Sequence, residues 1–148
     1  MANAIYPLWK QALMRELDAD KSLDQGQDDP PNGVYASLVD IQAGSGYVYS
    51  DAHQFYTSLT AVNPAPPALI GHPTVNGRVF GGDTIVYTNV SSVSGSKIGA
   101  VVLARQNDGA SSTWRLVLYE DTGIVGLPMI PSGGNIIVTW NSQGIFGL

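Results

Sequence analysis

From the N-terminus, Ile5, Trp9, Leu13 and Leu17 recur every four residues, with Leu8 and Ala12 beside them and Lys10, Gln11 and Arg15 on the opposite arc. That spacing predicts an amphipathic helix over residues 5–17. Pro7 suits its first turn, where a missing N–H costs little, and good helix formers follow it. Apolar side chains then all but disappear. Residues 18–33 end in Pro30-Pro31-Asn32-Gly33, and half of all the acidic residues lie between Glu16 and Asp29, so this stretch reads as a solvated acidic connector.

From Val34 the period falls to two. Residues 34–40 are alternating and rich in β-branched side chains, which predicts a strand. Gly44-Ser45-Gly46 turns the chain, and Ser50 is placed to cap a short helix over 51–59, in which Ala52, Phe55, Tyr56 and Leu59 share a face. Asn63-Pro64-Ala65-Pro66-Pro67 is an extended linker within the domain. Strands are then expected over 75–80, 83–90, 98–105, 113–119 and 136–140, separated by glycine, proline and serine turns. Residues 98–105 are apolar almost throughout, the pattern of a central strand covered on both faces, and 113–119 is its antiparallel partner. The sum is a mainly β fold, an antiparallel β-sandwich or jelly-roll-like domain with an N-terminal amphipathic helix and one short internal helix.

At 148 residues the chain is one domain, comprising the helix at 1–17, the connector at 18–33 and a β-rich core at 34–148. Apolar residues form 44% of it, enough for a core, whereas charged residues form only 13%, about half the usual share. There is no apolar run of the ~20 residues a membrane span needs, and the N-terminus resembles neither a signal peptide nor a lipidation site, so no membrane partner is expected. With no cysteine, disulfides and thiol chemistry are excluded. A net charge of −5, with seven scattered Lys and Arg, argues against nucleic acid.

Catalytic signatures are sparse. His53 falls on the expected short helix beside Phe55, a packing or capping position, and His72 precedes Pro73 with no acidic neighbour in sequence. There is no Gly-x-Ser-x-Gly elbow, phosphate loop, dinucleotide fingerprint or His-Glu-x-x-His motif, so no catalytic residue and no cofactor is expected. Asp18, Asp20, Ser22 and Asp24 alternate as in a calcium loop, with Asp29 at the twelfth position. Leu23 stands where that loop needs glycine, and Asp29 is shorter than the bidentate glutamate, so an acidic connector without metal is the better reading. Asn89-Val90-Ser91 matches a glycosylation site by a pattern too short to weigh. Tyr35, Tyr47, Tyr49, Phe55 and Tyr56 could form a stacking platform for a sugar, although core packing is the commoner fate of such rings.

Several stretches together carry a resemblance. They are Tyr6-Pro7-Leu8-Trp9-Lys10-Gln11-Ala12-Leu13, Val34-Tyr35-Ala36-Ser37-Leu38-Val39-Asp40, Tyr47-Val48-Tyr49-Ser50-Asp51-Ala52-His53-Gln54-Phe55 and Pro131-Ser132-Gly133-Gly134-Asn135-Ile136-Ile137-Val138-Thr139-Trp140, closed by Gly144-Ile145-Phe146. In this order the chain resembles small virion structural proteins of tailed bacteriophages, departing from them in the acidic stretch 18–29 and the proline linker 63–67. The resemblance implies a capsid decoration or cement protein, made in the host cytoplasm and carried on the capsid surface of the virion. Its implied partners are the major capsid protein and further copies of itself, as a dimer or trimer. Ile5, Leu8, Trp9 and Leu13 on the helix, with Pro64, Pro66 and Pro67, are the candidate contacts; the competing role for the helix face is to cover its own sheet. Other readings are a tail or fibre protein binding host glycan, and a free carbohydrate- or calcium-binding β-domain.

Overall fold

The computed structural model describes residues 3–14, 33–42, 44–91, 97–106 and 110–148. In chain order its elements are β1 (Ala4–Ile5), α1 (Pro7–Met14), β2 (Gly33–Asp40), β3 (Ala68–Leu69), β4 (Thr74–Asn76), β5 (Val79–Gly81), β6 (Ile85–Tyr87), β7 (Ile98–Gln106), β8 (Arg115–Glu120), β9 (Ile136–Val138) and β10 (Phe146–Gly147). The protein is mainly β, and its sheets are antiparallel.

The apolar run expected at the centre is there: every residue of β7 except Gln106 is buried. β2 pairs with it along its whole length, from Gly33↔Gln106 to Asp40↔Ile98, and β8 lies on its other side. Two-residue strands close both edges, so the five-stranded sheet runs β1-β8-β7-β2-β3. Short edges flanked by Pro66 and Pro67 on one side offer a foreign strand little backbone to pair with.

Both sides of β2 are covered. Ser37 meets the segment after Gly46, its hydroxyl 3.0 Å from that of Tyr56, and Tyr35 meets Trp114, which immediately precedes β8, with ring centroids 5.1 Å apart. Val34, Ala36 and Leu38 point the opposite way by strand alternation and are buried too. A two-stranded β6–β9 sheet and a three-stranded β10-β5-β4 sheet supply further cover. Ile85, Tyr87, Ile136 and Val138 are buried, and the Tyr87 hydroxyl donates to the Ala36 carbonyl at 2.6 Å, tying β6 to β2.

Four expectations need correction. The helix begins at Pro7, and Ile5 belongs to β1, opposite Leu118, because its N-terminal backbone completes the edge of the sheet. The short helix over 51–59 is only a 3-10 turn, Tyr56–Ser58. Its donors go elsewhere: Tyr56 N–H reaches the Trp114 carbonyl at 2.8 Å and Leu116 N–H reaches Gln54 O at 2.9 Å, so pairing with β8 replaces helical bonding. Residues 75–80 are not one strand but a hairpin, turned at Gly77, whose φ of 62° is in the region that favours glycine. Residues 111–113 form a second 3-10 turn, delaying β8 to Arg115. The acidic connector at 18–32 lies outside the described residues.

Candidate functional site

Of the residues nominated for docking, Trp9 is in the chain's own core, 1% exposed, with its ring edge-on to Phe146 at 5.9 Å. Ile5 and Leu8 are half-buried, and the side chain of Leu13 lies outside the described residues. Pro64 and Pro66 are exposed and Pro67 is half-buried, just before β3. The candidate calcium loop of Asp18, Asp20, Ser22, Asp24 and Asp29 is outside the described residues; among those described, no group of three or more acids or histidines is placed to hold a metal ion.

The five aromatic residues singled out by sequence divide: Tyr35 and Tyr56 pack on Trp114 and Phe55 lies under Arg115, while Tyr47 and Tyr49 gather with two rings outside that set. Tyr6 and Tyr119 join Tyr47 and Tyr49, with ring centroids 5.0–6.0 Å apart. The Tyr6 and Tyr47 hydroxyls are 2.7 Å apart, and Tyr47 in turn lies 2.7 Å from His53 Nδ1. Tyr49 donates to Asp51 and Tyr119 to Asp121. Burial raises the pKa of all four phenols, and the hydrogen bonds and neighbouring charges of Tyr6, Tyr49 and Tyr119 add to it. They stay protonated at any ordinary pH. This is a packed, hydrogen-bonded cluster in which His53 is a partner of Tyr47, not a residue of a helix.

His72 has an acidic neighbour after all. Asp83 N–H bonds to the Gly71 carbonyl, and its carboxylate meets His72 Nδ1 at 2.5 Å. The pair is largely exposed, so its electrostatic worth is small.

The most distinctive polar feature is at the end of β8. Alternation sends Tyr119 into the aromatic cluster and Glu120 to the opposite side. Glu120 is 8% exposed; among the described residues its Oε1 has only a long contact of 3.4 Å from Asn3 Nδ2, and its Oε2 has no hydrogen-bond partner. Burial pushes its carboxyl up to about 7. Asn3 is locked in place by accepting from Asp121 N–H, Thr122 N–H and the Thr122 hydroxyl at 2.9–3.0 Å.

Glu120, Asn3, Thr122, Asn141 and Gln143 line an open cleft of about 380 Å³. A neighbouring cleft of about 490 Å³ runs past Thr74, Asn76, Thr84 and Trp140, and the two share Val79, Asn141, Gln143 and Gly144 as a common wall. Gly144 is required there: its φ is 112°, and a Cβ would fall 2.3 Å from Val79 Cγ1 and 3.0 Å from the Phe80 carbonyl oxygen. Trp140 is held by its Nε1–H, which donates to the Asp83 carbonyl at 2.9 Å. Sequence reading missed this region because its residues come from both termini and two hairpins.

No family model, curated protein or solved structure matches the chain. A second surface feature is apolar. Val86 and Ile137 sit directly opposite each other on the outer side of β6–β9, each about half exposed, and Val125, 69% exposed, pairs through a bridge to Thr139 on the same side. They form a stripe of branched side chains facing water.

Proposed function

We propose that the protein is a structural component of a tailed-bacteriophage virion, a capsid decoration or cement protein that braces the shell by docking on the major capsid protein. The observation that carries this reading is the apolar stripe of Val86, Ile137 and Val125, since contiguous apolar surface on a polar rim marks protein–protein contact. The resemblance of its sequence segments to small phage virion proteins supplies the partner. On this reading the fold is a sandwich, the five-stranded sheet forming one layer and the smaller sheets the other, with the stripe on the outside. No chemistry is assigned to it. Copies arranged on a symmetric lattice, singly or as dimers or trimers, add modest contacts into large mechanical support.

The test is binding to capsids lacking the protein. Val86→Asp and Ile137→Lys, both at exposed positions, should abolish retention on sedimented particles while leaving the melting transition within about 0.5 kcal/mol of the parent. Undiminished retention by the double variant would remove the stripe as the docking surface, and capsids equally resistant to heat with and without the protein would remove the cement role itself.

A further inference from the structure

We propose that the two adjoining clefts form one groove that binds a neutral carbohydrate, with Glu120 accepting from a sugar hydroxyl at one end and Trp140 packing against a sugar ring at the other. This is independent of the docking stripe, which lies on other residues.

The lining chemistry selects the ligand class. None of the described lining residues is a lysine, arginine or histidine, so a phosphate, sulfate or carboxylate group would meet no counter-charge. Glu120 is the only carboxylate among them, too few oxygen charges for a calcium ion. A wholly apolar ligand would strand the amides of Asn3, Asn141 and Gln143 and the hydroxyls of Thr74, Thr84 and Thr122. What these groups share is the capacity to donate to and accept from hydroxyls, which both donate and accept themselves.

Two side chains sharpen the choice. Among the described residues Glu120 Oε2 has no hydrogen-bond partner and is closed to solvent, and Oε1 is met only by the 3.4 Å contact from Asn3 Nδ2, so a carboxylate with unused acceptor capacity borders the cleft. Groups in that state are rare in folded proteins and mark a place where something else supplies the bond. A sugar hydroxyl does so without requiring a countercharge. Trp140 has already committed its one polar atom to Asp83, so its half-buried ring offers a ligand carbon surface, which suits the C–H face of a pyranose. The common wall at Asn141, Gln143 and Gly144 makes the groove longer than one cleft, giving room for more than a single sugar unit.

The experiment is an NMR titration of the full ¹⁵N-labelled chain with methyl glycosides of glucose, galactose and N-acetylglucosamine and with their tetrasaccharides. Saturable shifts are expected at the Gly123 and Gly144 amides and the Trp140 indole N–H, with a tetrasaccharide binding more tightly than its monosaccharide. Gln143→Ala, an exposed substitution, should weaken binding about tenfold, or 1.4 kcal/mol, with the fold unchanged. Glu120→Gln keeps the shape and should also weaken it. The proposal is overturned if no sugar saturates by about 10 mM, if the shifts map elsewhere, if Gln143→Ala binds as well as the parent, or if the groove responds only to peptides in a parallel titration.

Discussion

Two buried side chains at opposite ends of the polarity scale show what single residues contribute. Trp9 contributes by volume: a tryptophan 1% exposed and packed on Phe146 leaves a large cavity when truncated, and Trp9→Ala should cost about 3–5 kcal/mol, read as a collapse in the melting temperature of the isolated chain. Glu120 acts in the opposite sense. Its carboxyl, raised by burial from 4.5 to about 7, binds a proton more tightly in the folded chain than in the unfolded one. Its contribution is therefore fully present below about pH 4.5 and is lost as pH rises through about 7. Glu120→Gln should melt higher than the parent at pH 8 and indistinguishably at pH 4, measured by calorimetry across that range. An equal offset at both pH values would show that the carboxyl is not buried as described. Neither role was legible locally: Trp9 stands on a helical stripe that would suit a partner as well as a core, and Glu120 ends a strand like any surface acid.

Elements were legible where one face or both carried a clean pattern. β7, apolar from Ile98 to Ala104, and β2, alternating, were readable because burial against neighbouring strands demands those residues whatever the neighbours are. The 51–59 segment failed for a definite reason. Its helical spacing is real, but Ser50 Oγ accepts from Ala52 N–H in a local turn, and the following backbone spends its hydrogen bonds on residues 114–116. The turn before it depends on close backbone approach: a Cβ on Gly46 would lie 2.5 Å from both Gln42 N and the Ile41 carbonyl carbon. Gly46→Ala must push the backbone apart and break the 2.7 Å bond from Gly46 N–H to Gln42 O, with an expected loss of about 1–3 kcal/mol in denaturant unfolding. Because Tyr47 and Tyr49 follow directly, the same variant should perturb their aromatic resonances; a shift confined to residues 42–46 would show the turn and the cluster to be uncoupled.

Across the whole molecule, five of the seven tyrosines, Tyr6, Tyr47, Tyr49, Tyr87 and Tyr119, have phenol pKa values raised above the ordinary 10.0. Above pH 10 these ionise more readily in the unfolded chain than in the folded one, so stability should fall steeply there. An ultraviolet titration should show those five ionising together with loss of near-UV circular dichroism; their gradual titration around pH 10 in a folded chain would contradict the burial described. Sequence alone determined that the chain is mainly β, that residues 98–105 form its centre and that an amphipathic helix lies near the N-terminus, because these follow from periodicity and from the need to bury apolar faces. Tertiary structure decided which side of that helix faces inward, drew Tyr6 and Tyr119 to Tyr47, and brought Asn3, Glu120, Trp140 and Gln143 to two adjoining clefts. Such groupings depend on pairings between residues more than a hundred positions apart, as between Asn3 and Thr122, and no local spacing encodes them.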